Sequence, residues 1–197
     1  MEARATVTVL LDEVRRGDPG APGRLFTLVY DKLLDIARIQ RRRQPSTETL
    51  NTTALVHEAY IKLFGSGNRD FRDRSHFMAV AAIAMRQILI GHARQSSALK
   101  RGAGVAPSSF EEVERALENQ NGLASPTADE ALLALDRALD RLHQQSERQS
   151  RIVECRFFGG MSIEETAEAL GISAATVKRD WSLAQAWLHR EIEDELR

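Results

Sequence analysis

Disulfides cannot hold this chain together, because it contains one cysteine, Cys155. That excludes an internal disulfide framework and fits a reducing compartment. Cys155 itself falls in an apolar helical stretch and is expected in the core. Long hydrophobic runs are missing too. No stretch approaches the roughly 20 consecutive apolar residues of a membrane span, and the N-terminus lacks the apolar core of a signal peptide. A cytoplasmic location is expected. Strand-type alternation is absent, and the few glycines and prolines cluster between periodic runs. Catalytic constellations are also lacking. Of the histidines His57, His76, His92, His143 and His189, only His57-Glu58 begins like a zinc-protease pair, and Ile61 stands where the second histidine would be needed. There is no phosphate-binding glycine loop. No enzymatic activity, cofactor or metal is expected.

What is present is charge and helical periodicity. The chain of 197 residues, 43% hydrophobic and 28% charged, suits a soluble globular protein of one domain or two small ones. The net charge of −1 hides an asymmetry. Residues 1–100 carry 16 Lys/Arg against 10 Asp/Glu, residues 101–130 carry 2 against 6, and residues 131–197 carry 9 against 12. The basic N-terminal part is a candidate for nucleic-acid contact, the alternative being a solvated helix surface.

Periodicity predicts helices over 6–16, 24–43, 53–64 and 75–99. The second turns Leu25, Leu28, Val29, Leu33, Ile36 and Ala37 inward and ends in Arg41, Arg42 and Arg43, most simply a solvated helix end. The third turns Leu55, Val56, Ala59, Tyr60 and Leu63 inward. The fourth is nearly apolar through its middle and should be the centre of a bundle. Residues 101–126, with three glycines, two prolines and the acids Glu111, Glu112 and Glu114, read as a flexible linker with a short helix at 109–118. Four further helices are predicted over 127–143, 147–158, 162–170 and 174–195. The expected fold is all-α, with small helical domains at 1–100 and 127–197.

The most informative run is residues 162–181, SIEETAEALGISAATVKRDW. Ser162 and Glu165 fit a capping box. Ala167 is small where two helices must approach closely, and Gly171 sits where a positive φ would end the first helix. Ser173 can cap a second helix, with Val177 and Trp181 on its inner face. This is the pattern of a helix-turn-helix, whose second helix can enter a DNA major groove. Its outer face would expose Ser173, Ala175, Thr176, Lys178, Arg179 and Ser182. The two basic residues can contact phosphates or guanine edges, and the hydroxyls phosphate at the helix N-terminus. Trp181 and Trp187 are expected to anchor the core.

A basic helical domain, an acidic linker and a small helix-turn-helix domain together resemble a bacterial RNA polymerase sigma factor, in particular the extracytoplasmic function (ECF) group of the sigma-70 family. ALDRLHQQSERQSRIVECRFFGGMSIEETAEALGISAATVK resembles region 4 of that family. LVHEAYIKLF resembles the region 2 helix that docks on polymerase, and FMAVAAIAMRQILIGHAR the helix that meets the −10 element. The resemblance covers about residues 7–100 and 127–195. It implies that region 2 binds the β′ clamp helices of core RNA polymerase and melts the −10 element, while region 4 binds the −35 element and the β flap. The −10 contacts would then come from Asn68, Arg69, Phe71, Arg72, Arg74 and Arg86, with Arg94 and Lys100 tracking the promoter backbone. Cations mixed with an aromatic suit an unstacked base and its phosphates, although Phe71 could equally tuck into the bundle.

The chain departs from the family at the docking helix. A pattern like Asp-Ala-Glu-Asp-Leu-Val-Gln-Glu is usual there, and here the run is Asn51-Thr52-Thr53-Ala54-Leu55-Val56-His57-Glu58. Only Glu58 remains acidic among the polymerase-binding candidates Asn51, Thr53, Ala54, His57 and Glu58, and basic clamp helices would need complementary charge. Phosphorylation of Thr53, or secondarily Thr52, by a Ser/Thr protein kinase would add about −1.5 to −2 charges. The alternative is that Thr53 is a plain N-cap. Gly91 is a second departure, placed where an acid is common. An anti-sigma factor is a further expected partner. The rival reading is a helix-turn-helix regulator that never joins polymerase.

Overall fold

The computed structural model describes residues 2–43, 52–65, 71–99 and 126–195. Every regular element among them is helical: α1 (Glu2–Arg15), α2 (Ala21–Arg43), α3 (Thr52–Phe64), α4 (Arg74–Leu99), α5 (Pro126–Gln145), α6 (Glu147–Val153), α7 (Ile163–Leu170) and α8 (Ala174–Glu195). The all-α expectation is met. Helix α2 starts earlier than periodicity indicated, at Ala21, and takes Pro22 into its first turn, where a missing amide hydrogen costs no intrahelical bond. The expected helix over 147–158 changes character midway. After Val153 it widens into a π-turn, Glu154–Phe158, closed by the Gly159 amide donating to the Glu154 carbonyl at 3.0 Å. The short helix expected at 109–118 lies outside the described residues. Of the expected linker only Pro126 is described, as the first residue of α5.

A single apolar cluster runs through both halves, from Leu11, Leu25 and Leu33 to Leu135, Leu139, Phe158 and Leu188. Helix α4 makes that continuity possible. It packs against α1 and α3 of its own half and against α5, the π-turn and α7 of the other. Ala79, Ala81, Ala82 and Ala84 are all buried along it, and small side chains let neighbouring backbones come close. By length and mean hydropathy the stretch Arg74–Ser97 would pass for a membrane span, contrary to the reading of the sequence, but 61% of its most apolar window is buried inside the protein. It is the central helix of the bundle.

Two side chains sit differently from expectation. Leu28, assigned to the inner face of α2, is 41% exposed. The buried stripe of α2 runs Leu25, Val29, Leu33, Ile36 and Ala37, a narrower face than hydrophobicity alone suggests. Phe71, assigned to the DNA-facing set, is 1% exposed. It closes an aromatic cluster, with ring centroids 6.0 Å from Phe64 and 5.1 Å from Phe77, and Phe64 in turn stands 5.1 Å from Tyr60. Burial of a phenyl ring in such a cluster is worth about 1.5 to 3 kcal/mol, more than a solvent-facing site offers. Arg15 fixes the backbone there, its guanidinium donating to the Phe71 carbonyl at 2.9 Å.

Candidate nucleic-acid interface

The helix-turn-helix is built as its sequence dictates. The Ser162 hydroxyl accepts from the Glu165 amide at 3.1 Å, and the Glu165 carboxylate accepts from the Ser162 amide at 2.8 Å, completing the capping box. Gly171 ends α7 at φ 67° and ψ 35°, the left-handed region, which costs a residue with a Cβ about 1 to 2 kcal/mol. The Ile172 amide then donates to the Ala167 carbonyl at 3.0 Å. Ser173 caps α8, accepting from the Thr176 amide at 3.1 Å, and its hydroxyl also bonds that of Thr176 at 2.8 Å. Val177 is fully buried with Ile152 and Ala167, and Trp181 packs against them. Trp181 and Trp187 are both partly buried against the core, as expected.

The outer face of α8 follows. Ser173, Ala175, Lys178, Arg179 and Ser182 are exposed and Thr176 is half-buried beside its cap. Contacts from the preceding elements tie this helix down. The Arg156 guanidinium lies 5.2 Å from the centre of the Trp181 ring while donating to the Met161 carbonyl at 2.8 Å. Asp180, buried at 1% exposure, accepts from Arg148 on α6 at 2.6 Å. The sequence reading missed Asp180. The available signal was its position three residues after Val177 and four before Ala184, on the inward face.

The N-terminal candidates are scattered rather than gathered. Arg72 is exposed and Arg74 half-buried at the start of α4; Asn68 and Arg69 lie outside the described residues. Arg86 departs from expectation most. It is buried and turned toward the other half of the chain. Its guanidinium donates to Asp136 at 2.7 and 3.0 Å, to Asp140 at 2.6 Å, to Glu154 at 2.9 Å and to the Asp136 carbonyl at 3.1 Å. Arg94 reaches the other oxygen of Asp136 at 3.1 Å, and Arg151 the other oxygen of Glu154 at 3.2 Å. Three guanidinium groups thus face three carboxylates. Burial pulls the Arg86 pKa down, but Asp136, with the hydrogen bonds to Glu154 and Asp140, outweighs it and holds the group above the ordinary arginine value. Breaking such a pair from one side would strand a buried charge, at about 3 to 5 kcal/mol.

Helix α3, the expected docking helix, carries no acid in its first turn. Thr52 is its first residue, so Thr53 lies within that turn rather than at the cap, and its side chain is exposed. Ala54 is half-buried, His57 exposed and Glu58 half-buried, while Asn51 lies outside the described residues. Glu58 is engaged: His92 on α4 places Nε2 3.0 Å from both its oxygens. Beside this pair runs an open groove between α3 and α4, lined by Ile61, Lys62, Gln87, Ile88 and Gly91. Ile61 is 63% exposed there. Helix α4 runs unbroken through Gly91, and a Cβ at that position would meet nothing within 4 Å. Among the described residues no group of three metal-ligating side chains gathers.

An all-helical protein with a basic N-terminal bundle and a capped, exposed helix-turn-helix belongs to the class of DNA-reading transcription proteins. The chain matches the family model of the ECF sigma factors over residues 4–194, and it belongs to that family. It is thus an alternative sigma factor of transcription initiation, a non-enzymatic protein whose partners are core RNA polymerase and promoter DNA. Comparison with curated proteins and with solved structures gave no match.

Proposed function

We propose that the chain reads a promoter in two parts. Helix α8 contacts the −35 element through Ser173, Ala175, Thr176, Lys178, Arg179 and Ser182. Residues 65–74 and α4 contact the −10 element, with Arg72 and Arg74 at the strand and the exposed Arg94 on its backbone; Phe71 and Arg86, both buried, take no part. Helix α3 docks on the polymerase clamp helices with Thr53, Ala54, His57 and Glu58. The observation that carries this reading is the family match across both halves together with the cap geometry of α7 and α8.

The same reading extends to control. The first turn of α3 lacks acids and exposes Thr53, and Glu58, further along the helix, is already paired with His92. A phosphate on Thr53, or on Thr52, restores negative charge at a helix N-terminus, where it is stabilised by the peptide dipoles. The modifying partner is a Ser/Thr kinase, and a phosphate switch makes an anti-sigma factor less necessary for this role. Run-off transcription with core polymerase, with and without kinase, tests it. Wild type gains transcript on phosphorylation and Thr53→Ala does not. Equal polymerase binding and transcription by unmodified wild type, phosphorylated wild type and Thr53→Ala would overturn the switch.

A further inference from the structure

Between the exposed Arg179 and the half-buried Trp181, Asp180 turns into the protein. Consecutive residues of a helix point about 100° apart, so Arg179 and Asp180 do not share a face. The two side chains nevertheless meet at one atom. Asp180 Oδ1 stands 3.5 Å from Arg179 Nε, while Oδ2 accepts from Arg148 Nε at 2.6 Å. The buried carboxylate thus has one arginine on each oxygen, one from α8 itself and one from α6. Among the described residues no other carboxylate pairs with either guanidinium. The contacts are unequal. The bond from Arg148 is short and charge-assisted, whereas 3.5 Å is longer than an ordinary hydrogen bond. Asp180 therefore steers Arg179 by charge without consuming its donors. Nε is the guanidinium nitrogen nearest the backbone, and the terminal amino groups carry the rest of the donor fork. They project beyond the carboxylate, and the side chain stays exposed.

We propose that Asp180 is a positioning residue of the DNA-reading face: a buried carboxylate, anchored to α6 by Arg148, that aims the Arg179 guanidinium outward. The proposal rests on the assignment of α8 to the −35 element. It deepens that assignment by naming what sets the direction of one of its cations. An unsteered arginine gives up rotamer freedom when it binds, and one held beside a fixed carboxylate has given up part of it beforehand. Bidentate reading of a guanine edge needs the fork in one plane and one direction. Attraction to phosphate carries no sequence information. Asp180 therefore bears on base preference more than on overall affinity. Arg148 completes the device from the other side. With Oδ2 held, the carboxylate does not turn both oxygens onto Arg179, a bidentate grip that would withhold its donors from DNA.

The test assembles the full chain with core RNA polymerase and selects from a pool of random-sequence DNA duplexes, with base preference read position by position in the recovered DNA. Arg179→Ala should flatten the preference at the base pair that Arg179 reads, by about tenfold. Asp180→Asn should flatten the same base pair severalfold and leave the other positions as in wild type. In the Arg179→Ala background it should add nothing further. A merely structural role would blur every position and act equally in both backgrounds. Circular dichroism melts check that each variant is folded. If Asp180→Asn does not fold, Arg148→Gln decides, because it releases the carboxylate from α6 and should flatten the same single position. Preference kept at that position, or lost at every position, would overturn the proposal and leave the −35 reading standing. Unchanged preference in Arg179→Ala would instead remove Arg179 from the DNA-facing set, and the proposal with it.

Discussion

At the scale of single residues, backbone and burial decide more than side-chain identity. Gly91 stands where the family commonly has an acid, yet α4 continues through it and a Cβ there would meet nothing within 4 Å. An interior glycine costs a helix about 1 kcal/mol relative to alanine. Gly91→Ala is therefore expected to raise the unfolding free energy by about that amount, read from urea melts followed by circular dichroism. Cys155 was expected in the core and is there, at 2% exposure. Burial first, then the Glu154 charge, push its thiol from an ordinary 9.0 up to about 12. The thiolate is the reactive species, so the folded protein should resist a disulfide reagent at pH 8 and react once unfolded in guanidinium. The sign of the stability effect follows. The unfolded chain releases this proton near pH 9.0 and the folded one near 12, so the contribution of Cys155 is complete below pH 9.0 and is lost as pH rises toward 12.

At the scale of elements, the helix-turn-helix is specified locally. Each of its signals acts within four residues: the Ser162–Glu165 box, the left-handed Gly171, the Ser173 cap. Ser162→Ala should cost about 1 kcal/mol by removing the cap. Gly171→Ala should cost about 1 to 2 kcal/mol, and since nothing lies within 4 Å of its Cβ position, the penalty is conformational. Gly171→Asn should recover part of it, because asparagine tolerates the left-handed region. Thermal melts of the three variants check the order. Helix α3 is specified less completely by its neighbours in sequence. Its stretch from Leu55 to Leu63 is legible from spacing, but the pairing of Glu58 with His92 joins residues 34 apart, and nothing in the local pattern announces it.

At the scale of the whole molecule, the two halves share one core and one ion network. A reading by segments expects two independent domains, each with its own transition. A continuous core predicts one. Calorimetry of the full chain should give a single peak whose calorimetric and van't Hoff enthalpies agree, and two resolved peaks would show that the halves unfold separately. The acids of the network did leave a trace in the sequence. Asp136 lies between Leu135 and Leu139 on the apolar side of α5, and Arg86 interrupts the apolar run of α4. Charges placed on buried faces must find partners, although the partners themselves cannot be read from spacing.

The sequence by itself determined the helical class, the limits of the helices among the described residues to within a few positions, the buried cysteine and the cap chemistry of the helix-turn-helix. All of these depend on periodicity and on hydrogen bonds between close neighbours. The tertiary structure alone decided that Phe71 fills the core, that Leu28 stays at the surface, and that Arg86 turns toward acids 50 and 68 residues away. Those outcomes depend on which helix faces cover one another, a property of the packed assembly of helices rather than of any one segment.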